Sequence, residues 1–363
     1  MKIGILGAGQ LGRMMAISGY PLNHQFGFSG NGNNEPASLL GHMFALEDTA
    51  DHIESLVAFA DVITYESENT DVAAVKEISK NVAVYPGVKS LFTTQHRGRE
   101  KALFDQLNIP CAPYQRVNSE QDLIEAVNVL GLPAILKIAT EGYDGKGQFL
   151  IHNENQIGEA WASMNDAESI LEGFVSFKRE LSLIAVRGID NDHKYYPLVE
   201  NIHHNGILRL TIAPAQNIDS AVQATAERYM KTLLDEMDHV GVLTIELFET
   251  DNGLAVNEMA PRVHNSGHWS IEGANTSQFE NHIRAISGMP LGDTTPTHAF
   301  NAMINIIGKT GPIDIALKLP NAHLHLYDKS ERADRKLGHI NITANSQAEL
   351  EASIDKLKDF LPK

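Results

Sequence analysis

The sequence predicts an α/β and α+β protein with three units: a parallel α/β unit over residues 1–96, a mixed unit over 97–296 and a small β-rich unit over 297–363. Three observations carry this. Up to Tyr85, short apolar runs of strand character alternate with helical patterns, which implies a parallel sheet with crossover helices. Beyond Arg97, strand-like runs follow one another with turns between them, the pattern of antiparallel pairing. Near Thr297 a last unit begins, with one hairpin and one helix.

Lys2–Leu6 reads as a strand, Gly7-Ala8-Gly9 as a tight turn, and a helix starts near Gln10. A second strand lies near Gln25–Phe28. Asp61–Tyr65 and Val82–Tyr85 read as buried strands, with a helix at Asp71–Ser79 between them, and Pro86-Gly87 closes the unit. Arg97–Leu107 is a helix that ends at Asn108-Ile109-Pro110. Strand Tyr114–Val117, helix Ser119–Leu130 and strand Ala134–Ile138 follow, then a glycine-rich loop and the return strand Gln148–His152. Glu180–Arg187, Tyr195–Asn201 and Leu208–Pro214 read as antiparallel strands, and Ala221–Asp238 as a helix. Val242–Thr250 and Leu254–Pro261 are strands joined by Asp251-Asn252-Gly253, a hairpin signal. His323–Asp328 and His339–Thr343 form the last hairpin, before a helix at Ser346–Asp359.

Composition excludes several function classes. The formal net charge of −17 argues against nucleic acid and anionic membranes as partners. No apolar run approaches the roughly 20 residues of a membrane span, and the N-terminus has no signal-peptide pattern. Cys111 is the single cysteine, which rules out an intramolecular disulfide and disfavours a cysteine metal site. A cytoplasmic location is the expectation. Phosphorylated substrates would demand cations concentrated locally on so acidic a chain.

Gly7, Gly9 and Gly12 spell the dinucleotide fingerprint between a strand and a helix. A complete fingerprint needs an acidic residue about 20 positions further on to hold a ribose. Here the second strand ends at Ser29-Gly30, and the first acidic residue, Glu35, lies in an Asn/Gly loop. A tight strand-to-helix turn is therefore favoured over NAD binding, with Gln10 placed to bond a substrate.

The residue types for phosphate chemistry come later in the chain. Lys137 ends the apolar strand Ala134–Ile138, where a lysine is rare without a partner. It reads equally as a cation for nucleotide phosphate or as a strand-exit residue whose ammonium reaches solvent. Gly142-Tyr143-Asp144-Gly145-Lys146-Gly147-Gln148 has three glycines between two strands, so its backbone N–H groups can approach phosphate closely. It lacks the Walker pattern, and a plain turn needs fewer glycines.

Glu246 and Glu258 lie on neighbouring hairpin strands. A three-residue loop at Asp251–Gly253 puts them directly opposite, with Cβ atoms about 5 Å apart; a two-residue Asn252-Gly253 turn shifts the register by one and separates them. Two facing carboxylates favour a bridging cation, and magnesium is the natural one; the alternative is two solvated glutamates. Arg262, His264, Asn265 and His268 follow within seven residues, and Arg262, His264 and Asn265 are suited to stabilising an anion. A metal site on the two histidines is the weaker reading, because no helix aligns them. Lys329, Arg332, Arg335 and Lys336 form a basic loop, read as a phosphate site over a solvated turn.

Taken in order, Arg97, Lys137, the loop Gly142–Gln148, Glu172, Glu180, Glu246 and Asn257-Glu258 resemble the ATP-grasp fold. The stretches Gly9-Gln10-Leu11-Gly12-Arg13-Met14, Asn257–Trp269 and His323–Lys329 resemble the N5-carboxyaminoimidazole ribonucleotide synthetases, and the likeness spans nearly the whole chain. The resemblance implies a Rossmann-like domain over 1–96, an ATP-grasp domain over 97–296 with a flap subdomain at about 110–175, and a C-terminal domain over 297–363. It implies ATP and magnesium as cofactors. Arg97 and Lys137 would contact ATP phosphates, and Gly142, Tyr143, Asp144, Gly145, Lys146, Gly147 and Gln148 would cover them. Glu172, Gly173, Phe174 and Val175 would line the adenine, with Glu180 on the ribose and His203 and Asn257 at the nucleotide. Glu246 and Glu258 would hold magnesium. Tyr143, Asp144, Arg262, His264, Asn265 and Ser266 would surround bicarbonate and the aminoimidazole. Lys329 with Arg335 or Lys336 would grip the ribonucleotide phosphate, and Gln10 would meet the same substrate.

Two departures stand out. The family's Arg-Pro-Gly-Arg-Lys loop is here Arg332-Ala333-Asp334-Arg335-Lys336, and Lys146 replaces a frequent arginine. The activity implied is ATP-dependent carboxylation of 5-aminoimidazole ribonucleotide by bicarbonate through carboxyphosphate, in a homodimer. The rivals are a formate-dependent phosphoribosyl ligase or other carboxylate–amine ligase, an NAD-dependent oxidoreductase, and a nucleotide sensor without turnover.

Overall fold

The computed structural model describes every residue except Ala50, Tyr143, Asp144 and Lys363. Three sheets organise the chain. The first takes strands β1 (Lys2–Leu6), β2 (Gln25–Gly30), β3 (His42–Ala45), β4 (Val62–Tyr65) and β5 (Ala83–Val84), all parallel, in the order β3-β2-β1-β4-β5. The order reverses between β1 and β4, so the carboxyl ends of these two strands flank the crevice where open α/β sheets take ligands. β3 and the helix His52–Phe59 go beyond the elements expected from the sequence.

A four-stranded antiparallel sheet follows, from β6 (Tyr114–Val117), β7 (Ala134–Ile138), β8 (Gln148–Ile151) and β9 (Ser169–Gly173), in the order β6-β9-β7-β8. Its core of Val117, Leu123, Leu136, Ile151, Trp161 and Leu171 is separate from the others. The glycine loop at residues 142–147 joins β7 to β8.

The third and largest sheet takes β10 (Arg179–Arg187), β11 (His193–Tyr195), β12 (Val199–His204), β13 (Ile207–Ala213), β14 (Gly241–Thr250), β15 (Gly253–Ala260), β16 (Phe300–Ile307), β17 (Ala322–Leu326) and β18 (Lys336–Ala344). The strand read from sequence over residues 195–201 is two strands, β11 and β12. Pro197 falls between them and has no N–H to donate to a ladder. The C-terminal strands continue the same sheet, because β16 pairs with β13. β16 also goes beyond the sequence reading. Asn301 and Asn305 interrupt its apolar run, yet both are buried.

The parallel unit is locked onto the central sheet. Leu11, Met14 and Met15, on the helix Gln10–Gly19, share a core with Phe279 and Ile283 on the helix Gln278–Ile286. Beside this seam two buried imidazoles bracket Val242. His239 Nε2 lies 3.0 Å from the Val242 carbonyl, and the Val242 N–H donates to His282 Nδ1 at 3.1 Å. Their other nitrogens reach Ser90 Oγ at 3.0 Å and Thr64 Oγ1 at 2.9 Å, both in the parallel unit.

Burial pushes the His239 pKa down to about 4. Burial, and then the neighbouring His239, pushes that of His282 down to about 3. The unfolded chain therefore takes up protons near pH 6.5 that the folded chain refuses until pH 4 or below. Stability from these groups is complete above about pH 6.5 and is lost as pH falls towards 4. Thermal melts across that window are expected to show the midpoint falling with pH, and the fall to shrink in His239→Gln.

Candidate active site

The facing glutamates are present. Glu246 on β14 pairs with Glu258 on β15. The turn differs from either geometry considered from sequence, since Thr250 pairs with Gly253 and the loop is Asp251-Asn252. That register alone would misalign the two acids. A bulge between Glu246 and Leu247 in the pairing, with Asn257 as the extra residue on β15, restores the match. Glu246 then lies 3.2 Å from His264 Nε2, and Glu258 2.6 Å from Arg97 Nη1. Burial favours the neutral acid at Glu246, but the bond to His264 outweighs it and lowers the pKa. Among the described residues no group of three or more His, Cys, Asp or Glu converges for a metal. Two facing carboxylates suit magnesium, which keeps waters and substrate oxygens in its octahedron.

Above the glutamates lies the lysine read from sequence. Lys137 is buried, with Nζ 2.8 Å from Glu172 Oε2 and 3.4 Å from Asn257 Oδ1. Glu172 also faces Lys101, 3.4 Å from Oε1. Burial would raise the Glu172 pKa, but Lys137 and then Lys101 outweigh it and hold the carboxyl at about 2. Arg97, Glu258, Ala139 and Gly142 line one cleft, so the base of the glycine loop shares it with Glu258. Within the loop, Gly145 and Gly147 have φ of +75° and +68°, a conformation that glycine takes without strain. Gly145 packs on the turn between β12 and β13, where a Cβ would lie 3.1 Å from the Gly206 Cα. Lys146 is exposed, and Gln148 pairs with Lys137 across β7 and β8. Tyr143 and Asp144 lie outside the described residues.

Among the residues expected at the adenine, Gly173 N donates to Pro113 O at 2.8 Å, Phe174 is exposed and Val175 is half-buried. Glu180 Oε2 lies 2.7 Å from His203 Nδ1. Burial lowers the His203 pKa, but the bond to Glu180 reverses this and leaves it raised.

The run after β15 is held from behind. Arg262 forms a two-point pair with Glu68, Nη2 to Oε1 at 2.7 Å and Nε to Oε2. Burial opposes the Glu68 charge, yet Arg262 draws its pKa down. Asn265 exchanges amide bonds with Asn305, at 3.0 and 2.7 Å. Ser266 was expected to meet substrate; the structure buries it completely, with Oγ 2.8 Å from His264 Nδ1, so its hydroxyl orients the imidazole instead. His268 is also buried, 3.2 Å from Gln278 Nε2, which removes it from any exposed histidine metal pair.

Glu66 resolves the first glycine motif. Its carboxylate accepts from Gly9 N at 2.6 Å and Gly12 N at 2.8 Å, where a dinucleotide would place phosphate. Beside it, Lys329 Nζ donates to Gln10 Oε1, which brings two predicted substrate residues together. Both Arg13 and Lys329 line a cleft of about 430 Å³. Burial, then Arg335, pushes the Lys329 pKa down to about 8, which marks how closely the basic loop gathers. Arg335 Nη1 bonds Ser330 Oγ at 2.8 Å, and Lys336 opens β18. Asp334 has φ of +60°, so it adopts the left-handed turn for which glycine is the usual residue.

Glu66, Glu68, Lys101 and Asn305 were not singled out from sequence. Tyr65-Glu66-Ser67-Glu68 at the carboxyl end of β4 carried the available signal, two acids at the switch point of a parallel sheet.

Comparison with known proteins matches three stretches of the chain to family models. Residues 1–95 match the ribonucleotide synthetase preATP-grasp domain, 102–279 the ATP-grasp domain, and 301–353 the phosphoribosylaminoimidazole carboxylase C-terminal domain. The chain is 43% identical over 362 residues to the N5-carboxyaminoimidazole ribonucleotide synthase of Pseudomonas aeruginosa, covering 99% of each. It superposes on the Thermus thermophilus N5-carboxyaminoimidazole ribonucleotide synthetase with a TM-score of 0.93, at 42% identity and 99% coverage of both chains. A structure of the Aspergillus clavatus N5-carboxyaminoimidazole synthase, in complex with ADP and 5-aminoimidazole ribonucleotide, matches with a TM-score of 0.91 at 32% identity, covering 99% of this chain and 98% of the other.

Proposed function

Since the chain belongs to the N5-carboxyaminoimidazole ribonucleotide synthase family of ATP-grasp ligases, we propose that its cleft uses ATP and bicarbonate to carboxylate 5-aminoimidazole ribonucleotide. The products are N5-carboxyaminoimidazole ribonucleotide, ADP and phosphate, in purine biosynthesis. The observation that carries the reading is the convergence of Arg97, Glu258 and the base of the glycine loop on one cleft, with Lys137 and Glu172 alongside.

Lys137 and Arg97 neutralise the nucleotide phosphates while a bicarbonate oxygen attacks the γ-phosphorus. Carboxyphosphate forms as the bond to ADP breaks. Magnesium, held at Glu246 and Glu258, would supply further charge neutralisation there. Arg262 and His264 hold the carboxylate of bicarbonate, and Asn265, fixed by Asn305, frames it. The exocyclic amine then takes the carboxyl carbon, phosphate leaves, and the amine proton passes to Asp144, His264 or the departing phosphate. The loop at 142–148 keeps water from the labile anhydride.

Gln10, Lys329 and the loop at 332–336 receive the ribonucleotide, whose phosphate meets the gathered cations. Lys329→Met is expected to raise KM for the ribonucleotide about tenfold to a hundredfold and leave KM for ATP unchanged. An equal rise in both constants would remove this assignment. The working form is a homodimer in the cytoplasm; light scattering during gel filtration checks the first. Among the described residues no helix is long and apolar enough to cross a membrane.

The deciding experiment follows ADP release by purified protein with magnesium, ATP, bicarbonate and the ribonucleotide, each omitted in turn. Release that ignores the ribonucleotide would overturn the substrate assignment. Formate replacing bicarbonate tests the ligase rival. The NAD reading meets Glu66 in the phosphate position, so NAD is expected to leave the melting point unchanged while ATP raises it.

A further inference from the structure

Lys101 has no exposed surface. It sits four residues after Arg97 on the helix Arg97–Gln106, so both cations project from one face. They grip successive residues of β15: Arg97 takes the Glu258 carboxylate, and Lys101 Nζ donates to the Asn257 carbonyl at 2.8 Å. Asn257 is the bulged residue that brings Glu258 opposite Glu246. On its other side Lys101 faces Glu172 Oε1 at 3.4 Å, while Lys137 holds Glu172 Oε2 at 2.8 Å. One buried carboxylate is thus shared between two ammonium groups that come from a helix and from β7.

The charge count gives this sharing its consequence. Lys137 and Glu172 alone make a neutral buried pair, and a lysine neutralised in this way offers little field to a phosphate. A second ammonium on the same carboxylate leaves Lys101, Lys137 and Glu172 with net positive charge beside the cleft. Burial pushes the neighbouring Glu100 up to about 8, which keeps that carboxyl largely neutral at pH 7. The second ammonium also keeps the Asn257 carbonyl satisfied where ladder bonding is broken.

We propose that Lys101 is a positioning residue for nucleotide binding: by sharing Glu172 and holding Asn257, it keeps Lys137 electrostatically available to the phosphates. The proposal rests on the reading of Lys137 as a phosphate contact.

The test measures ADP affinity by calorimetry, KM for ATP, and the melting transition. Lys101→Met is expected to weaken ADP binding and raise KM for ATP about tenfold or more. Lys101→Gln keeps a donor for the Asn257 carbonyl without the charge; it is expected to melt cooperatively and show the same loss of affinity. Adding Glu172→Gln removes the charge that Lys101 offsets, so Lys101→Gln/Glu172→Gln is expected to bind ADP within about threefold of Glu172→Gln alone. Wild-type affinity in Lys101→Gln, or strictly additive losses in the pair, would overturn the role. Wild-type affinity in Lys137→Ala would instead overturn the phosphate contact itself, and so separates the two failures.

Discussion

Replacing Glu258 with glutamine is expected to lower ADP formation by about a hundredfold to a thousandfold at saturating ATP, through loss of several kcal/mol of charge stabilisation. Glutamine keeps the size of the side chain and one oxygen for Arg97, so the pairing of β14 with β15 and the bulge at Asn257 have no reason to change. What disappears is one of two facing negative charges, and with it the reason a divalent cation would sit between them. Titration with magnesium gives the check. The concentration for half-maximal rate should rise well above that of the parent enzyme while the melting point without nucleotide stays close to it. Turnover within about tenfold of the parent, at an unchanged magnesium requirement, would mean that Glu258 serves Arg97 alone.

The second large effect is expected at Arg262. Arg262→Lys keeps the positive charge and loses the planar fork, which Glu68 now grips at two points. A lysine ammonium bonds Glu68 as a point charge and would no longer present the fixed donor to bicarbonate proposed for Arg262. The expected loss is about a hundredfold to a thousandfold in kcat/KM for bicarbonate, the scale for removing one preorganised oxyanion donor. KM for ATP should stay near the parent value, because Arg262 bonds Glu68 and not the Arg97–Glu258 or Lys137–Glu172 pairs. An ATP KM that rises in step with the bicarbonate KM would place Arg262 at the nucleotide instead.

How much of this was legible in the sequence depends on what each residue answers to. β1 and β7 were readable to the residue, because burial on a sheet leaves a run of apolar side chains bounded by turn residues. β16 was not, because Asn301 and Asn305 sit where the pattern expects apolar groups. Their role is tertiary: Asn305 exists to satisfy Asn265, 40 positions away. The pairing of Glu246 with Glu258 was reached through a turn the chain does not make. A two-residue turn and a one-residue bulge together gave the same register as the three-residue loop, and nothing local to Asn257 announces a bulge. Its partner there, the Lys101 ammonium, comes from 156 positions earlier. Ser266 looked like a substrate residue by its place beside His264 and Asn265, yet burial turned it inward.

The carboxylate of Glu66 in the glycine turn has a consequence for ligand choice. An anion tethered to the neighbouring strand is present at an effective concentration that free phosphate in solution does not approach, so it wins the backbone N–H groups of Gly9 and Gly12 without needing high intrinsic affinity. The turn has become a receptor permanently loaded by its own chain. That frees the helix start at Gln10 to present its side chain to Lys329, and it turns a motif associated with cofactor capture into a fixed wall against which a second substrate can be oriented.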